Sequence, residues 1–179
     1  MSNSNNKKAV ILVGHGGLPS DCPGDLVQKF MALHKRRVAQ GLPASKEEIK
    51  LDGTIRYWPR TSETDPYKTG LEKLAGNLES LLDGATLRTA YNEFCAPSID
   101  VAVKELAEEG YEDILLTTTM LTPGGSHSEK EIPEEVDKLR ITYPNVQINY
   151  AWPFDLVKVA GLLAKHLNGF SSEVKENVN

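Results

Sequence analysis

A chain of 179 residues, 40% hydrophobic and 25% charged, is long enough to bury one ordinary core and too short for two, so a single domain over 1–179 is expected. The formal net charge of −5 and the lack of any basic run exclude a phosphate backbone as partner, which needs Lys and Arg clustered on one face. Cys22 and Cys95 stand in no CxxC or other ligand spacing, which excludes a disulfide framework and a thiolate zinc site and fits a reducing compartment.

The polar opening MSNSNNKK runs straight into Ala9–Val13, an apolar stretch too short for a signal-peptide core or a membrane span, so a cytoplasmic protein without a membrane partner is expected. That stretch, AVILV, is rich in β-branched residues and stops at Gly14. It reads as a strand buried on both faces. Three further runs share its character: Thr86–Tyr91, Asp113–Thr119 and Val146–Tyr150, each bounded by Gly, Pro or Asn.

Helical periodicity fills the intervals. Leu26, Phe30, Leu33 and Val38 fall on one face of Asp25–Gln40, and Leu71, Leu74, Leu78, Leu81 and Leu82 do so in Tyr67–Leu82. A third helix begins after Pro97 with Ser98 as cap and ends at Gly110; Ser128–Tyr143 and Asp155–Phe170 supply two more. Pro133 belongs in the first turn of its helix or kinks it. The segment Gly41–Asp65 is too polar and too broken by Pro and Gly to read as a helix. It reads as a long inserted loop, either a functional loop or lid or a disordered insertion, with Tyr57 and Trp58 arguing against full disorder.

Alternating strands and helices require parallel pairing. The expected fold is therefore α/β, an open, doubly wound, four-stranded parallel sheet in flavodoxin-like order with helices on both faces. In such sheets ligands bind outside the carboxyl ends of the strands, so the loops after the strands are the places to search.

Those loops hold unusual side chains. Gly14-His15-Gly16-Gly17 follows the first strand, its glycines permitting a sharp turn and leaving room for a large ligand beside the imidazole. Asn92-Glu93-Phe94-Cys95-Ala96-Pro97 follows the second. After the third, Gly124 and Gly125 precede Ser126 and His127 just before a helix. Neutral imidazole binds first-row divalent metals and exchanges protons near pH 7. A strand-end histidine can instead do no more than bond a backbone carbonyl, but His15 and His127 sit in glycine-rich loops on one edge with Glu93, and together they favour a shared site.

His34 and His166 lie inside helices beside lysines and read as structural. Cys95 has no base patterned next to it and reads as a buried inert thiol. The glycine turns match neither a dinucleotide fingerprint nor a phosphate loop, and no GxSxG elbow of a hydrolase occurs.

GHGG after the first strand, NEFCAPSIDVAVKEL after the second and TPGGSHSEKEIP after the third resemble, in order and over most of the chain, the short class II chelatases that act on sirohydrochlorin, the small CbiX-like family. The resemblance implies insertion of Co²⁺ or Fe²⁺, or Ni²⁺ as in some relatives, into that tetrapyrrole for cobalamin or siroheme biosynthesis, with no organic cofactor. It implies His15 and His127 as metal ligands, with Glu93 as a third member and proton acceptor, and a homodimer. The carboxylate-rich substrate calls for cations and exposed N–H groups. Arg56, Arg60 and Lys68 are candidates, as are Gly16, Gly17, Gly124, Gly125 and Ser126 in the turns. The insertion at about 41–65 departs from the family's minimal pattern. A non-catalytic metal or tetrapyrrole carrier using the same histidines is the alternative.

Overall fold

The computed structural model describes the backbone of residues 7–176 and the side chains of 7–170. Four strands, β1 (Lys8–Gly14), β2 (Thr86–Tyr91), β3 (Asp113–Thr118) and β4 (Gln147–Tyr150), pair in parallel in the order β2-β1-β3-β4. This is the flavodoxin-like order. The chain leaves β1 for one neighbour and returns to add the other, so both loops that carry a histidine open at the same end of the sheet.

Period-two side chains divide between two cores. On one face Ile11, Val13, Ala90, Ile114, Leu116 and Ile148 pack beneath α4 (Ile99–Glu108) and α5 (Ile132–Thr142), which contribute Val103, Leu106, Ile132 and Val136. On the other, Leu12, Leu87 and Tyr91 meet Leu71 and Ala75 of α3 (Pro66–Glu79). Full burial of each such aliphatic side chain contributes roughly 1.5–3 kcal/mol, enough to fix the register of every strand, because a one-residue slip would exchange the two faces.

The expected loop at 41–65 is corrected by the structure: after α1 (Gly24–Gln40), α2 runs from Lys46 to Arg56. Ser45 caps it by accepting the Glu48 N–H at 3.1 Å, the Ser-x-x-Glu signature of a helix start that the polar composition masks. Ile55 is fully buried beneath it. Glu48, also buried, turns away from the cap to Nε of Arg37 on α1 at 2.8 Å and to His34 at 3.3 Å. Burial would raise its carboxyl pKa, but the Arg37 guanidinium and the hydrogen bonds from Arg37 and His34 hold it below the usual range. The ion pair thus joins α1 and α2 into a hairpin. Ser45→Ala should cost about 1 kcal/mol, read as a lower denaturant midpoint with an unchanged slope.

Ser128–Tyr143 also differs from a plain helix. A π turn, His127–Glu131, precedes α5, with the Ile132 N–H donating to the His127 carbonyl, and Pro133 sits in the first turn of α5. The last helix, α6 (Leu156–Glu176), begins one residue after the expected start.

Candidate metal site and adjoining cleft

Three loops are held side by side because the strand ladders continue past the strand ends. The N–H groups of Asn92 and Glu93 donate to the carbonyls of Gly14 and His15 at 3.0 and 2.8 Å, and the Thr119 N–H donates to the Val13 carbonyl at 3.1 Å. Gly16 makes this approach feasible. Its φ is +93°, and a Cβ there would stand 1.8 Å from the Glu93 carbonyl oxygen. That space is filled by the neighbouring loop, not by a ligand, which corrects the expected role of this glycine. Gly16→Ala should force the loops apart and cost at least about 2 kcal/mol, with a fall in thermal midpoint as the measurement.

His15 Nδ1 lies 2.8 Å from the Gly16 carbonyl, which only accepts, so Nδ1 carries the proton and Nε2 keeps its lone pair. The carbonyl bond and a ligand role are therefore compatible, where the sequence posed them as alternatives. The His15 backbone N–H donates to the Tyr67 hydroxyl at 2.8 Å. His15 Nε2 faces Glu93 Oε2 at 3.8 Å, and the two imidazoles meet edge to face with centroids 4.8 Å apart. One donor atom from each of His15, Glu93 and His127 lies within 4.8 Å of the others. Bonds of about 2.1 Å hold any two ligands at most about 4.2 Å apart, so a small side-chain movement closes the triad on an ion.

His127 is oriented from behind. Its Nδ1 lies 2.8 Å from Glu131 Oε2, and Asn92 Nδ2 lies 3.0 Å from the same oxygen. One carboxylate oxygen accepting from both leaves the His127 Nε2 lone pair facing outward, the carboxylate–histidine arrangement that supports metal-binding imidazoles. Burial raises the Glu131 pKa, but the bonds from His127 and Asn92 outweigh it and hold the group below the usual carboxylate range. Neither Asn92 nor Glu131 received a role from sequence. The available signal was the four-residue spacing of His127 and Glu131.

A cleft of about 300 Å³ adjoins the triad, between the α1–α2 hairpin and the loop after β2. Phe30, Met31, Ile49 and Phe94 give it apolar walls; His34, Arg37, Arg56, Asn92, Glu93 and Glu131 give it polar ones. His34 packs on Phe30 with centroids 5.6 Å apart. The structure corrects the free-cation roles expected of the arginines. Arg60 is buried, bonding Asp65 and the carbonyls of Gly17, Ile55 and Phe94. Arg56 reaches the cleft but is bound to Asp52 and to the carbonyls of Cys95 and Asn92. Lys68 pairs with Glu72. Gly124, Gly125 and Ser126 lie exposed just before the π turn, Gly17 lies half-buried beside Asp65, and Cys95 is buried, its thiol pKa raised by burial. His166 is exposed on α6 and is not among the clustered donors.

A model of the CbiX family matches residues 60–165. The chain belongs to the CbiX family. The matched span holds Glu93 and His127 and begins beyond His15. A sirohydrochlorin cobaltochelatase of Methanopyrus kandleri is 33% identical over 64 residues, 36% of this chain and 44% of the relative. A sirohydrochlorin ferrochelatase of Priestia megaterium is 26% identical over 103 residues, 48% of this chain and 39% of the relative. The matches thus span less than half the length of either relative. A solved structure from Marinobacter aquaeolei VT8, assigned to cobalamin (vitamin B12) biosynthesis as a CbiX protein, shares the fold at a TM-score of 0.57 and 20% identity, over 94% of this chain and 98% of that one. Among the described residues no helix is long and apolar enough to cross a membrane.

Proposed function

We propose that this CbiX-family chain is a sirohydrochlorin chelatase, inserting a divalent metal, Co²⁺ or Fe²⁺ with Ni²⁺ as a further candidate, into the macrocycle. The observation that carries the reading is the convergence of His15, Glu93 and His127 within 4.8 Å beside a cleft, which Glu93 lines, with apolar walls of Phe30 and Phe94. The metal is substrate. The triad receives the ion on two imidazole nitrogens and a carboxylate and leaves coordination positions open to the incoming macrocycle. Insertion then replaces those ligands by four pyrrole-type nitrogens and releases two N–H protons. Each histidine that has given up the metal, and Glu93, regains a lone pair able to take one of them. The apolar wall of Phe30 and Phe94 suits the flat ring, and the exposed glycine turn at Ser126 suits a peripheral carboxylate. The protein acts in the cytoplasm as a single-domain homodimer, the second copy completing the enclosure of the ring.

Incubating the protein with sirohydrochlorin and Co²⁺ or Fe²⁺ tests this through the absorbance change of the macrocycle. Many turnovers per chain are expected; a change that stops at one equivalent would identify a carrier instead. Glu131→Gln should weaken metal affinity about 10–100-fold, the range for loss of a supporting partner, measured by competition with a chromophoric chelator. Unchanged affinity would remove His127 from the ligand set.

A further inference from the structure

The loop that carries Glu93 has a strained backbone. The Cys95 N–H donates to the Glu93 carbonyl at 2.6 Å, closing a three-residue turn with Phe94 at its centre. Phe94 has φ +55°, and no other non-glycine residue among those described has a positive φ. A turn of this kind with positive φ at its centre is rare and strained, the more so for a bulky side chain. Such a conformation persists only where its surroundings over-determine it.

The bonds to the β1 loop secure Asn92 and Glu93 by their N–H groups, and the carbonyls are held from the end of α2. Arg56, the last residue of α2, donates from Nη2 to the Asn92 carbonyl and from Nη1 to the Cys95 carbonyl, both at 3.2 Å. One guanidinium thus grips the chain on either side of the turn. Asp52, one helical turn earlier, accepts from its Nε at 2.7 Å and fixes the fork in place. Arg60 holds the Phe94 carbonyl between them. The α2 helix itself is anchored without this loop, by the Ser45 cap, the buried Ile55 and the pair of Glu48 with Arg37.

Both side chains of the turn serve the site. Glu93 is its first residue, and Glu93 Oε2 faces His15 Nε2 at 3.8 Å. The Phe94 ring lies 6.4 Å from that of His15 and 6.2 Å from that of Phe30 on α1, centroid to centroid. Beyond the turn Cys95 is buried and the Pro97 carbonyl accepts the Tyr91 N–H at 2.9 Å, so that end of the loop is fixed. Relaxing Phe94 to a negative φ would therefore rotate Glu93 against the imidazoles. Metal–ligand distances hold to within about 0.2 Å, so such a rotation takes the carboxylate out of the ligand set.

We propose that α2 is a positioning element for the metal ligands and that Arg56 is the residue through which it acts: its guanidinium holds the strained turn that aims Glu93 at His15 and His127. The inference rests on Glu93 being a ligand, as proposed above. It gives the segment 41–65 a part in metal binding itself, in place of the lid expected from its composition.

Co²⁺ affinity of the full chain, measured by competition with a chromophoric chelator and with far-UV circular dichroism as the folding check, tests it. Glu93→Gln should weaken binding and sets the scale. Arg56→Gln should weaken it about 10–100-fold, the range for loss of a partner that orients a ligand. Arg56→Lys keeps the charge without the fork and should recover little; should Arg56→Gln lose helix content, Arg56→Lys carries the same comparisons. In the double variant with Glu93→Gln the Arg56 change should have no further effect, because it acts through Glu93. In a Phe94→Gly background, where glycine takes the positive φ freely, Arg56→Gln should cost much less affinity than it does in the native chain. Native Co²⁺ affinity in Arg56→Gln, or a loss that multiplies with that of Glu93→Gln, would overturn the proposal. So would weaker binding of metal-free sirohydrochlorin with Co²⁺ affinity intact, the mark of a substrate contact. Unchanged affinity in Glu93→Gln would instead remove Glu93 from the triad, and this proposal with it.

Discussion

Metal insertion should fall at least about 100-fold in His15→Ala and equally in His127→Ala, beyond the cost of losing a partner that merely supports a ligand. Each change removes one imidazole from a triad whose donor atoms lie within 4.8 Å of one another. A two-donor remnant loses one of the three groups that would hold the ion beside the cleft. Because the two histidines act as a unit, the double variant should be hardly worse than either single one. The fold should persist, since both side chains sit on loops beyond the strand ends and His15 is 42% exposed. Initial rates with sirohydrochlorin and Co²⁺, alongside circular dichroism, provide the measurement. Near-native turnover in either variant would sink the assignment of the triad.

Arg60→Ala should unfold the protein more readily by about 3–5 kcal/mol, the cost of stranding a buried charge. Asp65 is 2% exposed and Arg60 is its partner; the same guanidinium also ties the carbonyls of Gly17, Ile55 and Phe94. One side chain therefore fastens the loop after β1, the end of α2 and the loop after β2 to one another. Lysine should restore little, because a single ammonium cannot span acceptors that a planar fork reaches together. Denaturant titration checks both variants. If Arg60 instead bound a substrate carboxylate, its loss would raise KM and leave the denaturant midpoint in place.

The strands and most helices were legible because their signals are local. AVILV, TLRTAY and DILLTTT carry β-forming patterns that can be read without knowing their partners, and Gly14, Pro97 and Gly110 punctuate the chain between them. The α2 helix was missed for a physical reason. Its surroundings are polar, and its Ser45–Glu48 start signal was outweighed by composition, although Ile55 and the Glu48–Arg37 pair anchor it. Sequence gives the charges of Arg56 and Arg60 but not their partners; the carbonyls that claim Arg60 come from the loop after β1, the end of α2 and the loop after β2.

The sequence by itself determined the alternation of strand and helix, hence a parallel sheet, and it named His15, Glu93 and His127 through their positions just past three strands. Hydrophobic periodicity is a property of neighbouring residues, and it survives without knowledge of the fold. Tertiary structure alone decided how those residues act. The register between β1 and β2 brings the Glu93 carbonyl against Gly16, the Gly16 carbonyl fixes which nitrogen of His15 is free, and the π turn returns Glu131 to His127. Tautomer, ligand orientation and the burial of Arg60 are each set by contacts between segments far apart in the chain, where the linear order carries no record of distance.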